Sequence, residues 1–201
     1  MVVEPITLEG RYARLEPLRM LHADELYTAS RDPNIWTWKL VRQPQTLADT
    51  QALLATALRS QADGAAVPFA IISRAHGRAM GETRYLTIMP QDRGLEIGWT
   101  WLAPEIQRTG VNTECKYLLL RHAFEDIGAI RVQLKTHHNN VRSQRAIERL
   151  GAVREGTLRN HMIMPDGSYR HSVYYSIIAD EWTAVKARLE GLMARSQESR
   201  P

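Results

Sequence analysis

Gln107-Arg108-Thr109-Gly110-Val111-Asn112 is the stretch of the chain that decides its fold. It follows an apolar run, Leu95 to Leu102, typical of a strand, and it opens a periodic pattern, Val111 to Ile127, typical of a helix. Such a turn leaves backbone N–H groups unpaired at the start of the helix, where the helix dipole favours negative charge. The stretch therefore predicts an anion site, in which Gly110 lets a phosphate approach the backbone and Arg108 adds a positive charge.

The remaining segments predict a mixed sheet with helices on its faces. Strand patterns precede helix patterns in the middle of the chain, and hairpins lie on either side. Thr46-Leu47-Ala48-Asp49 resembles a capping box and begins a helix that Asp63-Gly64 ends. The other predicted helices cover His22–Ser30, Asn140–Leu150 and Glu181–Leu192. The predicted strands cover Ile6–Leu18, Val67–Ser73, Met80–Met89, Leu95–Leu102, Ile130–Thr136, Val153–Met164 and Tyr169–Ile178.

The composition predicts one globular domain over residues 1–201, with a polar tail after about Leu192 that we expect to fray. The hydrophobic fraction of 44% is ordinary for such a domain and excludes a disordered chain. Cys115 is the single cysteine, so no internal disulfide can form, and a reducing compartment fits. Neither a signal peptide nor an apolar stretch of membrane-spanning length is visible. We therefore expect a cytoplasmic protein without a membrane partner.

The order of these motifs resembles the GNAT superfamily of acyl-CoA-dependent N-acyltransferases. The resemblance rests on Glu96-Ile97-Gly98-Trp99, the turn at 107–112, Asn140-Val141-Arg142-Ser143 and Arg149-Leu150-Gly151-Ala152. It spans roughly residues 6 to 182. The motifs are most similar to those of the branch that contains the ribosomal-protein serine and alanine N-acetyltransferases.

The resemblance implies an α/β (α+β) fold with a mixed, mostly antiparallel seven-stranded sheet that splays at its centre and is flanked by helices. It also implies acetyl-CoA as cosubstrate and no metal. The pantetheine arm would add to a strand edge near Trp101 and Leu102. The pyrophosphate would lie on Gln107, Arg108, Thr109, Gly110, Val111 and Asn112. Two positions depart from the family pattern: Asn112 replaces a small residue, and Ile147 stands where many members carry a catalytic tyrosine.

Two side chains are candidates for the chemistry of acyl transfer to an amine. Glu96, on the strand beside the splay, is the candidate base, acting directly or through water; a structurally paired glutamate is the alternative. Ser143, in the first turn of its helix, is the candidate acid for the leaving thiolate; the alternative is a serine that satisfies local backbone groups. Asn140 fits both an N-cap and an amide contact to pantetheine.

The acceptor and the cofactor phosphates have their own candidate residues. Trp36 and Trp38, between the first two helices, and Tyr169, near the last hairpin, are candidates for acceptor binding, with packing as the alternative for each. Of the three arginines spaced along one helix, we expect a cofactor contact from one of the first two, here assigned to Arg142, and a solvated Arg149.

Cys115 and the His137-His138 pair carry no chemistry in this interpretation. Cys115 lies on the apolar stripe of its helix, which predicts a buried structural thiol rather than a nucleophile. Adjacent strand residues point to opposite faces, so His137 and His138 are not expected to chelate a metal together.

Several functions remain open at this point. An N-acetyltransferase would move the acetyl group of acetyl-CoA to a primary amine in a ternary complex, and a preference for succinyl-CoA would change only the donor. A non-catalytic acyl-CoA sensor would share the fold, although the presence of both Glu96 and Ser143 argues against it. A nucleic-acid binder would use the arginine-rich half, but no interleaved aromatics or helix-turn-helix pattern support it. We therefore expect an amine acceptor, no nucleic acid, and a homodimer as a possibility left open.

Overall fold

The computed structural model describes residues 1–198 as one mixed sheet with helices packed on it. The sheet has eight strands in the order β1-β2-β3-β4-β5-β6-β8-β7, and every neighbouring pair is antiparallel except β5 and β6. The strands are β1 Leu8–Glu9, β2 Ala13–Pro17, β3 Ala66–Ser73, β4 Arg78–Met89, β5 Gly94–Leu102, β6 Arg131–His137, β7 Val153–Ile163 and β8 Tyr169–Ile178. The helices are α1 Ala23–Ala29, α2 Leu47–Ala62, α3 Val111–Arg121, α4 Val141–Leu150 and α5 Trp182–Glu198.

The sheet has eight strands rather than the predicted seven because the first predicted strand, Ile6–Leu18, is broken in two. The chain turns at Gly10, whose N–H donates to the carbonyl of Ala13 at 2.9 Å. The carboxylate of Glu114, on α3, accepts the N–H groups of the residues at this turn, at 2.6 to 2.8 Å. A contact between residues so distant in sequence gives no signal in a local hydrophobic pattern.

The helix boundaries differ from the predictions at two places. α3 ends at Arg121 and is followed by a wider π-helical turn, His122–Asp126, rather than continuing to Ile127. α5 continues to Glu198, past the predicted end at Leu192, and residues 199–201 of the predicted frayed tail lie outside the described residues. The capping box of α2 is confirmed, since Thr46 Oγ1 accepts the N–H of Asp49 at 3.1 Å.

The predicted splay lies between β5 and β6. These parallel strands pair only over Gly94–Glu96 and Arg131–Gln133, although β5 runs on to Leu102 and β6 to His137. Beyond Glu96 the pairing of β5 with β4 is also irregular, and Trp99 has a positive φ of 55°. A bulge of this kind turns a strand away from its neighbour. The two strands therefore diverge and open a cleft at the middle of the sheet.

The helices cover the sheet and fix the two sides of this cleft. Tyr85, on β4, donates its hydroxyl to the carbonyl of Leu119 on α3, and Tyr175, on β8, donates to Glu148 on α4. On the other side, α1 packs against β4 and α2 against β3, and Glu25 accepts the N–H of Ala79. β3 is buried along its whole length, as expected for a central strand between two layers of helices.

Candidate active site

The cleft between β5 and β6 has a volume of about 630 Å³ and collects most of the residues that the sequence singled out. Its lining includes Trp38, Glu96, Trp101, Leu102, Gln107, Arg108, Thr109, Asn112, Asn140, Arg142 and Ser143. Four other candidates, Trp36, Gly110, Val111 and Tyr169, are not part of that lining. Most predicted site residues thus meet at the point where the two parallel strands separate.

Glu96 is the last residue of β5 that pairs with β6, and it lines the cleft. It is only 1% exposed, and its Oε2 forms an ion pair with Lys135 Nζ at 3.1 Å and accepts a hydrogen bond from Gln133 Nε2 at 3.0 Å. No described residue within 1–198 donates a hydrogen bond to its Oε1. Gly98 leaves room for that oxygen, since a Cβ there would lie 2.7 Å from it. One carboxylate oxygen is therefore held in place while the other is free to accept a proton or bind a water.

The turn before α3 presents a row of backbone donors. Among the described residues, no acceptor is found for the N–H groups of Arg108, Thr109, Gly110, Asn112 and Thr113. The N–H of Val111 is the exception, because it donates to Thr109 Oγ1 at 3.2 Å. Arg108 has a positive φ of 58°, which bends the chain into the turn. Unpaired donors at a helix start, next to an exposed arginine, form a good site for an anion.

Gly110 has a different role from the one its sequence position predicts. It is the N-cap residue of α3 with a negative φ of −66°, so no left-handed conformation requires a glycine. Instead a Cβ at Gly110 would lie 2.8 Å from two ring carbons of Tyr12. The glycine is therefore needed for the packing of the turn against β2 and Tyr12, while an anion would meet only its backbone N–H.

Gln107 ties the end of β5 to the start of α4. Its Nε2 donates to the carbonyl of Leu102 at 2.8 Å, and its Oε1 accepts a hydrogen bond from Arg142 Nη1 at 3.1 Å. At the start of α4, Asn140 Oδ1 accepts the N–H of Ser143 at 3.1 Å, which confirms the N-cap alternative for Asn140. Ser143 is half-buried on the cleft wall, one turn before the buried Ile147.

Arg149 also lies on the cleft wall, and it is not merely solvated as the sequence analysis expected. Its Nη2 donates to Thr113 Oγ1 at 3.0 Å, which links α4 to the first turn of α3. We call the turn 108–113 together with the first turn of α4 the cofactor end of the cleft.

Two lysines that the sequence analysis did not single out line the cleft: Lys116, which is buried, and Lys39, which is half-buried. Lys39 Nζ donates to the carbonyls of Trp99 and Thr100 at 2.8 and 3.0 Å, and Lys116 Nζ donates to Thr100 Oγ1 at 2.6 Å. Burial lowers the pKa of Lys39 to about 7 and that of Lys116 to about 8. An isolated lysine in a sequence usually marks a solvated surface, so no sequence pattern distinguishes these two.

The aromatic candidates separate into packing and lining residues. Trp36 is 8% exposed, donates its Nε1 to the carbonyl of Ser30 at 2.9 Å and packs against Trp101, so the packing alternative describes its position. Trp38 faces the cleft and lies against the His137 ring at 4.6 Å. Tyr169 is 61% exposed at the start of β8, away from the cleft.

His137 lines the cleft and lies beside His138, whereas Cys115 belongs to the hydrophobic core. The rings of His137 and His138 stack at 4.4 Å instead of diverging, because β6 ends at His137 and His138 lies in the following turn. No cluster of metal-binding side chains is found among residues 1–198. Cys115 is fully buried, and burial raises the pKa of its thiol to about 12, so the thiolate needed of a nucleophile is disfavoured. Nor is any helix within 1–198 long and apolar enough to cross a membrane.

The sequence matches the family model described as "Acetyltransferase (GNAT) domain" over residues 13–153. The chain belongs to the GNAT family. A structure titled as a GCN5-related N-acetyltransferase from Brucella melitensis superposes with a TM-score of 0.90 at 33% identity, covering 95% of this chain and 86% of that one. The resemblance inferred from the motifs is thereby confirmed at the level of the family.

Two further proteins extend the comparison. "Putative ribosomal N-acetyltransferase YdaF" of Bacillus subtilis (strain 168) is 33% identical over 95 residues, which cover 47% of this chain and 51% of the relative. The chain spans about half the length of the curated relatives that it matches. Mycobacterium smegmatis RimJ, solved in complex with CoA-disulfide, superposes with a TM-score of 0.79 at 20% identity over 94% of this chain and 95% of that one, which shows a shared fold.

Proposed function

We propose that this GNAT chain transfers the acetyl group of acetyl-CoA directly to a primary amine within a ternary complex. The observation that carries the proposal is the opening between β5 and β6, which has a free carboxylate oxygen of Glu96 in its lining and unpaired backbone donors at its cofactor end. The acceptor would be a protein N-terminus or a small amine, and the word "ribosomal" in the name of YdaF favours the first.

The cofactor end suits coenzyme A. Its pyrophosphate would accept hydrogen bonds from the backbone N–H groups of 108–113, with the exposed guanidinium groups of Arg108 and Arg142 beside it. The pantetheine arm would run into the cleft along the edge of β5 that β6 leaves unpaired, near Trp101 and Leu102. The carbonyls of Trp99, Thr100 and Leu102 already accept side-chain hydrogen bonds, so the arm would pair with other groups of that edge.

Glu96 takes up the proton of the attacking amine, and Ser143 stabilises coenzyme A as it leaves as a thiolate, which then takes its proton from solvent. The neutral amine attacks the thioester carbonyl while Glu96 Oε1 accepts its proton, either directly or through one water. The C–S bond then breaks, and the Ser143 hydroxyl, at the start of α4, donates a hydrogen bond to the leaving sulfur. Ile147, at the position where the family resemblance implies a tyrosine, has no proton to offer, so Ser143 would take over that role.

The test is an acetylation assay with purified protein and acetyl-CoA. Thiol release is followed over a panel of N-terminal peptides, polyamines and amino-acid derivatives, and products are identified by mass. Acetylated amine together with free coenzyme A is the expected result. Coenzyme A binding without turnover on any amine would instead indicate a non-catalytic acyl-CoA sensor. A higher rate with succinyl-CoA than with acetyl-CoA would show that succinyl-CoA is the preferred donor.

Ser143→Ala should slow thiol release without weakening coenzyme A binding. Turnover at the wild-type rate in this variant would contradict the role proposed for Ser143.

A further inference from the structure

The acceptor side of the cleft carries a buried guanidinium whose charge no carboxylate balances. Strand register puts Glu96, Gln133 and Ser176 side by side across β5, β6 and β8. Because alternate residues of a strand share a face, Arg170 on β8 lies on the same face of the sheet as Glu96. We call Lys39, Glu96, Lys135 and Arg170 the acceptor end of the cleft, since all four line it.

Arg170 is held in position but its charge is unpaired. It is only 7% exposed, and its Nε donates to Ser172 Oγ at 3.1 Å, so the side chain extends along β8 towards Ser172. Within residues 1–198 no carboxylate lies within ion-pair distance of it. Burial lowers the pKa of this arginine, and the more distant charge of Glu96 opposes that effect. A buried guanidinium in this state is unfavourable unless a ligand brings the missing negative charge.

The neighbouring charges leave the acceptor end positive. Glu96 is the only acidic residue that lines the cleft within the described chain, and Lys135 already pairs with it at 3.1 Å. The nearby buried Glu82 pairs with Arg84 at 2.6 Å. Among residues 1–198 the hydrogen bonds of Lys39 Nζ go only to main-chain carbonyls. Burial is the main cause of its lowered pKa; the charge of Glu82 opposes that effect, and the positive charges of Arg84, Lys116 and Arg170 add to it. Arg170 therefore has no carboxylate at ion-pair distance among residues 1–198, and Lys39, which has none either, adds positive charge to the acceptor end only when it is protonated.

We propose that the amine acceptor carries a carboxylate, which Arg170 binds while the amine lies at Glu96 Oε1. This inference rests on the proposed function and names the chemical class of its acceptor. The planar guanidinium has both Nη groups available for a carboxylate, and paired N–H donors bind a carboxylate in a fixed orientation. The carboxylate is either the α-carboxylate of a free amino acid or an acidic side chain close to a protein N-terminus.

The experiment compares matched acceptors that differ only in that charge. Ser-Glu and Ser-Gln N-terminal peptides, blocked at the C-terminus, form one pair, and free amino acids with their amides form the other. The wild-type protein should acetylate the carboxylate member of one pair with a kcat/KM at least tenfold higher. The pair that shows the preference identifies the source of the carboxylate.

Variants of Arg170 test whether this side chain causes the preference for the carboxylate acceptor. Arg170→Gln should abolish the preference by raising KM for the carboxylate acceptor while KM for acetyl-CoA is unchanged, and Arg170→Lys should restore part of it. Arg159→Gln, an exposed arginine on β7 outside the cleft lining, makes the same charge change and should behave as wild type. Circular dichroism and coenzyme A binding establish that each variant is folded.

Two results would overturn the proposal: equal kcat/KM within both pairs for the wild type, or a preference that Arg170→Gln retains. If no acceptor is acetylated, the proposed function fails separately, and the inference is decided by calorimetric titration of the coenzyme A-saturated protein with the same pairs. Tighter binding of the carboxylate member that disappears in Arg170→Gln would support it; equal or absent binding would refute it.

Discussion

The two ends of the cleft are built in different ways. The cofactor end consists of backbone N–H groups from one short turn and one helix start, with side chains that cap and tie them. The acceptor end consists of charged side chains from a loop and three strands, which are held by one ion pair, by main-chain carbonyls and by the hydroxyl of Ser172. Backbone donors can bind any acyl-CoA, because every acyl-CoA carries the same phosphates. The charged side chains of the acceptor end, in contrast, would select acceptors of one charge type. The comparison suggests that binding coenzyme A and choosing the amine can be altered separately.

The largest effect is expected from removing the carboxylate of Glu96, at the acceptor end. Glu96→Gln keeps the size of the side chain but cannot take up the amine proton, so kcat should fall by roughly 10²–10⁴-fold. Affinity for coenzyme A should stay the same because the cofactor end is untouched. Steady-state kinetics and calorimetric titration measure the two quantities. Glu105→Gln, an exposed glutamate in the turn after β5, is the matched control. A variant with wild-type kcat would remove Glu96 as the base.

A second variant should weaken coenzyme A binding at the cofactor end without altering the acceptor end. In Gly110→Ala the new Cβ would meet the ring of Tyr12, which must displace the turn, so coenzyme A affinity should fall by about tenfold. Adding Tyr12→Ala makes room for the methyl group and should recover much of that loss relative to Tyr12→Ala alone. Calorimetric titration of all four proteins with coenzyme A completes the cycle. Strictly additive losses would show that the packing against Tyr12 does not position the turn.

The smallest expected effect concerns the protonation of Lys39, at the acceptor end. The pKa of Lys39 is lowered from 10.5 to about 7, so between these values the folded protein binds fewer protons at this site than the unfolded chain. Stability contributed by this group should therefore rise with pH across that window. The Tm difference between wild type and Lys39→Met should become more positive by a few degrees from pH 7 to pH 10, as thermal melts would show.

Lys186→Met is the control for that pH dependence. The hydrogen bond to Glu125 raises the pKa of Lys186, so its stabilising contribution is fully present below its ordinary pKa of 10.5 and is lost only above it. Its Tm difference should thus stay level over the same window. A parallel rise in both variants would show that the pH dependence does not come from Lys39.

The sequence could predict more of the cofactor end of the cleft than of its acceptor end. The turn at 107–112 and the N-cap at Asn140 are local patterns. Gln107, Arg108, Thr109 and Asn112 of the turn line the cleft together with Asn140, whereas Gly110 and Val111 do not. The break at Gly10, by contrast, depends on Glu114, which lies in a different element. Lys39, Lys116 and Arg170 come from separate elements as well, and their importance arises only from burial. Local periodicity carries no information about which charges a fold buries.

The direction of a side chain could not be predicted where the regular structure ends. Trp36 and Trp38 are two residues apart, yet the first packs against Trp101 and donates to Ser30 while the second faces the cleft. The loop that holds them has no regular period from which to assign faces. The stacking of His137 on His138 has a similar origin, since the alternation of a strand stops where the strand ends.

The central claim is that coenzyme A enters the opening between β5 and β6. The most direct measurement is a crystal structure of the protein with coenzyme A bound. We expect the pyrophosphate on the backbone N–H groups of the turn 108–113, the pantetheine arm along the unpaired edge of β5, and the sulfur between Ser143 and the free oxygen of Glu96. A pyrophosphate bound elsewhere, with the turn empty and the sulfur away from Glu96, would contradict the account.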